Sequence, residues 1–164
     1  MVLISAAVGA AVKWYGSRRD DDEDDVQGDD PVVRALLRAV NRGELDDLQE
    51  LVHDDCRIYL NAYELTRGDL NRGPELWTDA INDLRSAFPD VRWKLYDELA
   101  GKDEGKHKIA VRFVSKTNIE GVVTEFPVAA FGVIEKKKLI EWHQVTDVET
   151  YNSFRTRTGE ERLG

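Results

Sequence analysis

The chain predicts an α+β fold in which a curved antiparallel sheet wraps around helices that precede it. Three observations carry this. Helical periodicity dominates residues 31–88, interrupted by one strand-like run. Four further strand-like runs then follow in series, near 91–100, 107–119, 122–134 and 138–147. Their separators, Gly101–Gly105, Glu120-Gly121 and Glu135–Lys138, are short and turn-like. Helices segregated before a meander pack on one face of its sheet.

Asp30 before Pro31 is a helix N-cap followed by a proline at the first helical position. Val33, Leu36, Leu37 and Val40 then form an apolar stripe, and Gly43 ends the helix. Leu45, Leu48, Leu51 and Val52 mark a second, short amphipathic helix. Cys56 to Tyr63 alternates, with Arg57, Tyr59, Asn61 and Tyr63 on one face and Ile58, Leu60 and Ala62 on the other, which predicts a strand. The glycine-containing stretch Arg67–Gly73 predicts a loop. Pro74 opens a third helix that buries Leu76, Trp77, Ala80, Ile81, Leu84 and Phe88, and Pro89 stops it. A short helix from Glu149 and a frayed tail over 156–164 are expected at the end.

At 164 residues the chain holds one domain, placed at 31–155, with tails. The net charge of −9 is concentrated in residues 20–30, where eight acids stand without a base; subtracting them leaves −1 for the rest. That stretch predicts a solvated, disordered linker. The folded part carries no basic stripe, so no nucleic-acid partner is expected. The single Cys56 has no disulfide partner, which fits a reducing compartment such as the cytoplasm. Residues 1–19 join an apolar run, Val2–Val12, to Lys13, Trp14, Tyr15, Arg18 and Arg19. The run is about half the ~20 residues of a spanning helix. It reads either as a frayed extension or as a weak membrane-surface contact.

The closing run Leu139–Asp147 carries the first candidates for chemistry. Glu141, His143, Val145 and Asp147 share one strand face. His143 and Asp147 lie about 13 Å apart over four residues, too far for a direct bond but able to meet one ligand from two ends. Buried without partners they would be costly, so they sit either at a wet edge or in a working pocket. Asp147 also stands where it could cap the segment after it. Arg112 is the odd residue within Ile109–Val114 and reads as a partner of Asp147 or Glu141, or of an acidic ligand. Tyr59 and Asn61 share a face of the first strand. Trp77 and the other aromatics fit either core or the wall around a flat apolar ligand.

Gly73-Pro74-Glu75, Phe88-Pro89-Asp90-Val91-Arg92-Trp93, Ile109-Ala110-Val111-Arg112-Phe113 and Leu139-Ile140-Glu141 occur in an order and spacing that resembles the SnoaL-like polyketide cyclases of the nuclear transport factor 2-like superfamily. The resemblance spans roughly residues 31–155. It implies a cone-shaped barrel, cystatin-like in outline, whose bent sheet encloses an apolar cavity. Its relatives include cyclases, ketosteroid isomerases, epoxide hydrolases and non-catalytic binding modules, so fold alone does not choose among them. Asp147 matches the family's acid/base aspartate. A carboxylate in an apolar cavity is suited to removing a proton alpha to a carbonyl. Tyr59 and Asn61 resemble the water-holding pair of limonene-type epoxide hydrolases. The Arg-x-Asp those enzymes also need is absent, because Arg112 is followed by Phe113 and Val114.

The resulting expectation is a domain that binds a hydrophobic, carbonyl-bearing small molecule. Asp147 and His143 stand as catalytic candidates, and Tyr59, Asn61, Arg112 and Trp77 as substrate contacts. The reaction would be a cofactor-independent isomerisation or cyclisation; the alternative is a non-catalytic ligand-binding or dimerisation module. No cofactor or metal is expected, since neither a glycine-rich phosphate loop nor a metal-ligand set is present. The resemblance also implies a homodimer formed through the outer sheet face, for which Val122, Val123, Phe126, Val128, Phe131 and Val133 are apolar enough to supply the surface.

Overall fold

The computed structural model describes residues 28–119 and 121–146. The expectations for residues 1–27, for Asp147 and for the tail beyond it lie outside the described residues. The elements run α1 (Pro31–Arg42), α2 (Asp46–Leu51), β1 (Val52–Leu60), β2 (Tyr63–Glu64), α3 (Gly73–Ala87), β3 (Arg92–Asp103), β4 (Lys106–Ile119), β5 (Val122–Glu135) and β6 (Lys138–Thr146).

The start of α1 is fixed as its sequence predicts. The Asp30 carboxylate accepts the Val32 N–H at 2.8 Å, and Gly43, at φ 76°, donates its N–H to the Ala39 carbonyl. The sheet holds the same end. Glu98 accepts the backbone N–H groups of Asp29 and Asp30 at 2.9 and 2.7 Å, and His107 Nε2 lies 3.0 Å from Asp30 Oδ2. Further along, the Asn41 amide exchanges two hydrogen bonds with the Trp93 backbone, at 2.7 and 2.9 Å. These contacts set the angle at which α1 crosses the sheet.

The six strands are ordered β2-β1-β6-β5-β4-β3. All pairs are antiparallel except β1 with β6, which is parallel because the chain passes through α3 and three long strands before returning beside β1. Register shifts at Leu95/Asp97, Val52/Arg57 and Val133/Ile134 bend the sheet around the helices. The bend gives it a covered inner face and an open outer one.

Residues Ile109, Val111 and Phe113 of β4 and Val128, Ala130 and Ile134 of β5 are buried on the inner face against α1 and α3. Trp142 is fully buried there and meets Trp77 of α3 edge-to-face, with ring centroids 5.6 Å apart. The first strand departs from its predicted extent. It ends at Leu60 rather than Tyr63, because Asn61 and Ala62 take φ 48° and 70° and form a tight two-residue hairpin into β2. Alternation could not reveal this, since the turn is held by long-range bonds: Asn61 N–H donates to the Gln144 carbonyl at 2.9 Å.

Candidate functional site

Between the inner sheet face and the two long helices lies a cavity of about 100 Å³. Leu36 and Val40 of α1 and Trp77, Ile81 and Leu84 of α3 form its roof. Ile58, Val128 and Trp142 form much of its floor, and Phe126 and Trp93 lie toward the β3–β5 side. Its wall is overwhelmingly apolar, as expected where a helical stripe faces a sheet.

The exceptions define its chemistry. Asn61 Nδ2, Trp93 Nε1 and Ser115 Oγ all belong to lining residues and are buried without a hydrogen-bond partner. The Asn61 amide is oriented by its other end, because Oδ1 accepts the Thr146 backbone N–H at 3.0 Å and only an oxygen can do so. The remaining polar groups are tied to the protein. Gln144 Oε1 accepts from Trp142 Nε1 at 3.4 Å, Thr146 Oγ1 donates to the Pro127 carbonyl at 3.2 Å, and Arg67 pairs with Asp83 at 2.6 Å. Among the described residues, the lining includes no Asp, Glu or His. Cys56 lies fully buried nearby; burial pushes its thiol up to about 11, opposed by the Trp77 side chain, so it stays protonated and unreactive at neutral pH.

The sequence-predicted residues divide between the two faces of the sheet. Asn61 and Trp77 line the cavity. Tyr59, His143 and Arg112 do not, which corrects the expectation that they converge there. On β6 it is Trp142, Gln144 and Thr146 that face inward, so His143 takes the outer face opposite Tyr59. The two rings stack with centroids 4.4 Å apart and planes 6° from parallel, and His143 Nε2 sits 2.6 Å from Glu141 Oε1. Arg112 alternates with buried Val111 and Phe113 and therefore points outward too. It pairs with Asp97 at 2.7 Å and lies over the Tyr96 ring. Asn61 escapes the phase of Tyr59 because the hairpin's positive φ swings its side chain inward.

Sequence reasoning missed Trp93, Ser115, Gln144 and Thr146. A signal existed for Ser115. It continues the apolar phase of Ile109, Val111 and Phe113, so it had to face the same interior.

Among the described residues, no helix is long and apolar enough to cross a membrane, and no group of His, Cys, Asp and Glu side chains is placed to hold a metal ion.

A helix-lined curved sheet around an apolar cavity places the chain in the nuclear transport factor 2-like class of folds. The sequence profile of the SnoaL-like domain matches residues 33–142, and the chain belongs to that family. No curated protein matches it by sequence. Among solved structures it is similar to IdmH of Streptomyces antibioticus, a proposed polyketide cyclase (19% identity, 76% of this chain and 96% of that one, TM-score 0.57). It is also similar to an epoxide hydrolase of the limonene-epoxide-hydrolase-like type from M. tuberculosis (15% identity, 77% and 88%, TM-score 0.53). A de novo designed protein with a curved β-sheet matches as well (16% identity, 78% and 92%, TM-score 0.51). At these identities the likeness establishes the shared fold and no activity.

Proposed function

We propose that this domain binds a hydrophobic, carbonyl-bearing small molecule in the cavity, with Asn61 and Trp77 among its contacts. The single observation that carries the reading is the set of buried, unpartnered polar atoms around an apolar space. A buried polar group left unpaired costs about 1–3 kcal/mol, so three of them at one cavity are groups that a ligand's polar atoms would satisfy with gain. At about 100 Å³ the cavity is smaller than the engineered apolar cavity of about 150 Å³ that admits benzene, so a bicyclic ligand must displace side chains of the wall or extend out of the cavity.

An isomerase or cyclase needs one thing more, a group that moves a proton at the bound carbonyl compound. Asp147, which lies outside the described residues, is the residue the family resemblance assigns to that role. His143 is not retained in a catalytic role, because its ring is stacked on Tyr59 across the sheet from the cavity. The test uses 1-indanone in D₂O, with loss of its C2 protons followed by NMR. Acid/base function predicts exchange faster than in buffer, and a fall of about 10²-fold or more in Asp147→Asn. Bound indanone that exchanges no faster than in buffer would leave a non-catalytic binding module. Indanone that does not bind at all would remove the small-molecule reading itself.

The outer face supports a second proposal, pairing with another copy of this chain. Phe131 and Val145 stay about half exposed there, at 54% and 49%, beside the Tyr59–His143 stack. Of the apolar residues the sequence offered for this face, Phe126 and Val128 point into the cavity instead. Sedimentation of the full chain is expected to give a dimer, and Phe131→Lys a monomer with unchanged circular dichroism. A monomeric wild type at 100 µM, about a hundredfold or more above any sub-micromolar Kd, would exclude the pairing.

A further inference from the structure

Two buried hydroxyls stand on the inner face of β4, two residues apart, and the protein treats them differently. Thr117, 2% exposed, donates from Oγ1 to Asp90 Oδ1 at 2.8 Å. Ser115, 0% exposed, has no partner for Oγ and borders the cavity. Directly across the β3–β4 ladder from Ser115 is Trp93, whose Nε1–H is likewise buried and unpartnered at the cavity wall. Side chains directly opposite on one face of an antiparallel pair have Cβ atoms about 5 Å apart, close enough to address one ligand atom.

We infer that Trp93 and Ser115 form a two-donor subsite for a neutral acceptor oxygen of the ligand. The inference rests on the small-molecule reading above and specifies which end of the ligand is recognised. Indole N–H only donates, and the serine hydroxyl can donate alongside it, so the group received must be an acceptor. A carboxylate is disfavoured, because the charged side chain in the lining, Arg67, is already paired with Asp83 and a bare charge in an apolar cavity is costly. A ketone, ester or ether oxygen satisfies both conditions.

The subsite is held in place before any ligand arrives. Asn41 clamps the Trp93 backbone from α1 through its two hydrogen bonds, and Phe113 packs against the Trp93 ring with centroids 5.2 Å apart. The other directed donor, Asn61 Nδ2, lies at the end of β1, three strands from β4. Three spacings of about 4.8 Å put the two poles roughly 14 Å apart measured along the sheet, and less across its bend. A ligand with an oxygen at each end of an apolar body would engage both.

The test compares 1-indanone with indane, which has the same rings and lacks the oxygen, on the full chain labelled with ¹⁵N-tryptophan. Indanone is expected to bind about 5–10-fold more tightly, the preference that one net hydrogen bond gives. It should also move the Trp93 indole N–H resonance downfield, whereas indane should not. Ser115→Ala and Trp93→Phe should each remove most of the preference, read in each variant as the ratio of the two affinities so that a change in apolar packing, which acts on both compounds, cancels. Equal affinity of the wild type for the two compounds, with no indanone-specific indole shift, would overturn the subsite and leave the cavity reading intact. Equal losses for both compounds in Ser115→Ala would also overturn it, by showing a packing effect. Failure of both compounds to bind the wild type would overturn the subsite together with the reading it rests on.

Discussion

Trp142→Ala is expected to destabilise the domain by about 3–5 kcal/mol, the range for truncating a buried Trp to Ala. Trp142 is fully buried, closes the cavity floor, meets Trp77 edge-to-face and directs its N–H at Gln144. Its strand, β6, lies between β1 and β5 and joins the two ends of the chain's folded part. Truncation would remove the aromatic pair, leave the Gln144 carbonyl oxygen without its donor, and merge the vacated volume with the existing cavity. A loss of that size is a large share of the roughly 5–15 kcal/mol that holds such a domain folded. Urea denaturation of wild type and variant gives the number directly. Trp142→Phe, which keeps a ring on the floor, should cost clearly less. A cost below about 1 kcal/mol for the alanine variant, at unchanged denaturant slope, would mean that the floor collapses to fill the space and that Trp142 is not its determinant.

The elements themselves were legible because their signals are local. Asp30-Pro31 and Gly43 bound α1 through capping chemistry written in adjacent residues, and Pro89 stops α3 one residue after its last helical contact. Strand phase was legible as well, but phase says only which residues share a face. The covered face is decided by which side the helices dock on. For β4 the pattern favours one face, since Ile109, Val111 and Phe113 outweigh Ala110, Arg112 and Val114, and Arg112 faces out against its expected role as a substrate contact.

For β6 the pattern was ambiguous. Trp142, Gln144 and Thr146 compete with Glu141, His143 and Val145, and the chemical appeal of His143 favoured the wrong face for a cavity role. Resolving β6 requires its partners. Register with β5 sets Trp142 against Gly132, the one place where a Cβ would come within 2.9 Å of Ile109, so that the bulky indole and the missing side chain are paired on the inner face. Asn61 lines the cavity for a reason the sequence did not contain. It reaches the cavity through a turn conformation stabilised by Gln144 and Thr146, residues more than eighty positions away.

Gly73→Ala is expected to cost about 3 kcal/mol and to weaken indanone binding with it, from two causes that act together. Gly73 has φ +84°, a left-handed conformation that charges an L-residue roughly 1–2 kcal/mol. An added Cβ would also stand 2.7 Å from the Asp54 carbonyl oxygen, a backbone atom of β1 that cannot rotate away. To relieve that overlap the start of α3 must move off β1, and α3 carries Trp77, Ile81 and Leu84 of the cavity roof. Gly68 supplies the control. It shares the positive φ, at +57°, but nothing lies within 4 Å of its Cβ position, so Gly68→Ala should lose only the backbone share and leave binding unchanged. The difference between the two variants, measured by urea denaturation and by indanone titration, isolates the close approach of α3 to β1. Equal losses in the two would show that only the local conformation matters. A Gly73→Ala variant that is destabilised yet binds indanone at full strength would show that the roof holds its place independently of that contact, and the cavity's shape would then have to be set by α1 and its Asn41 clamp on Trp93.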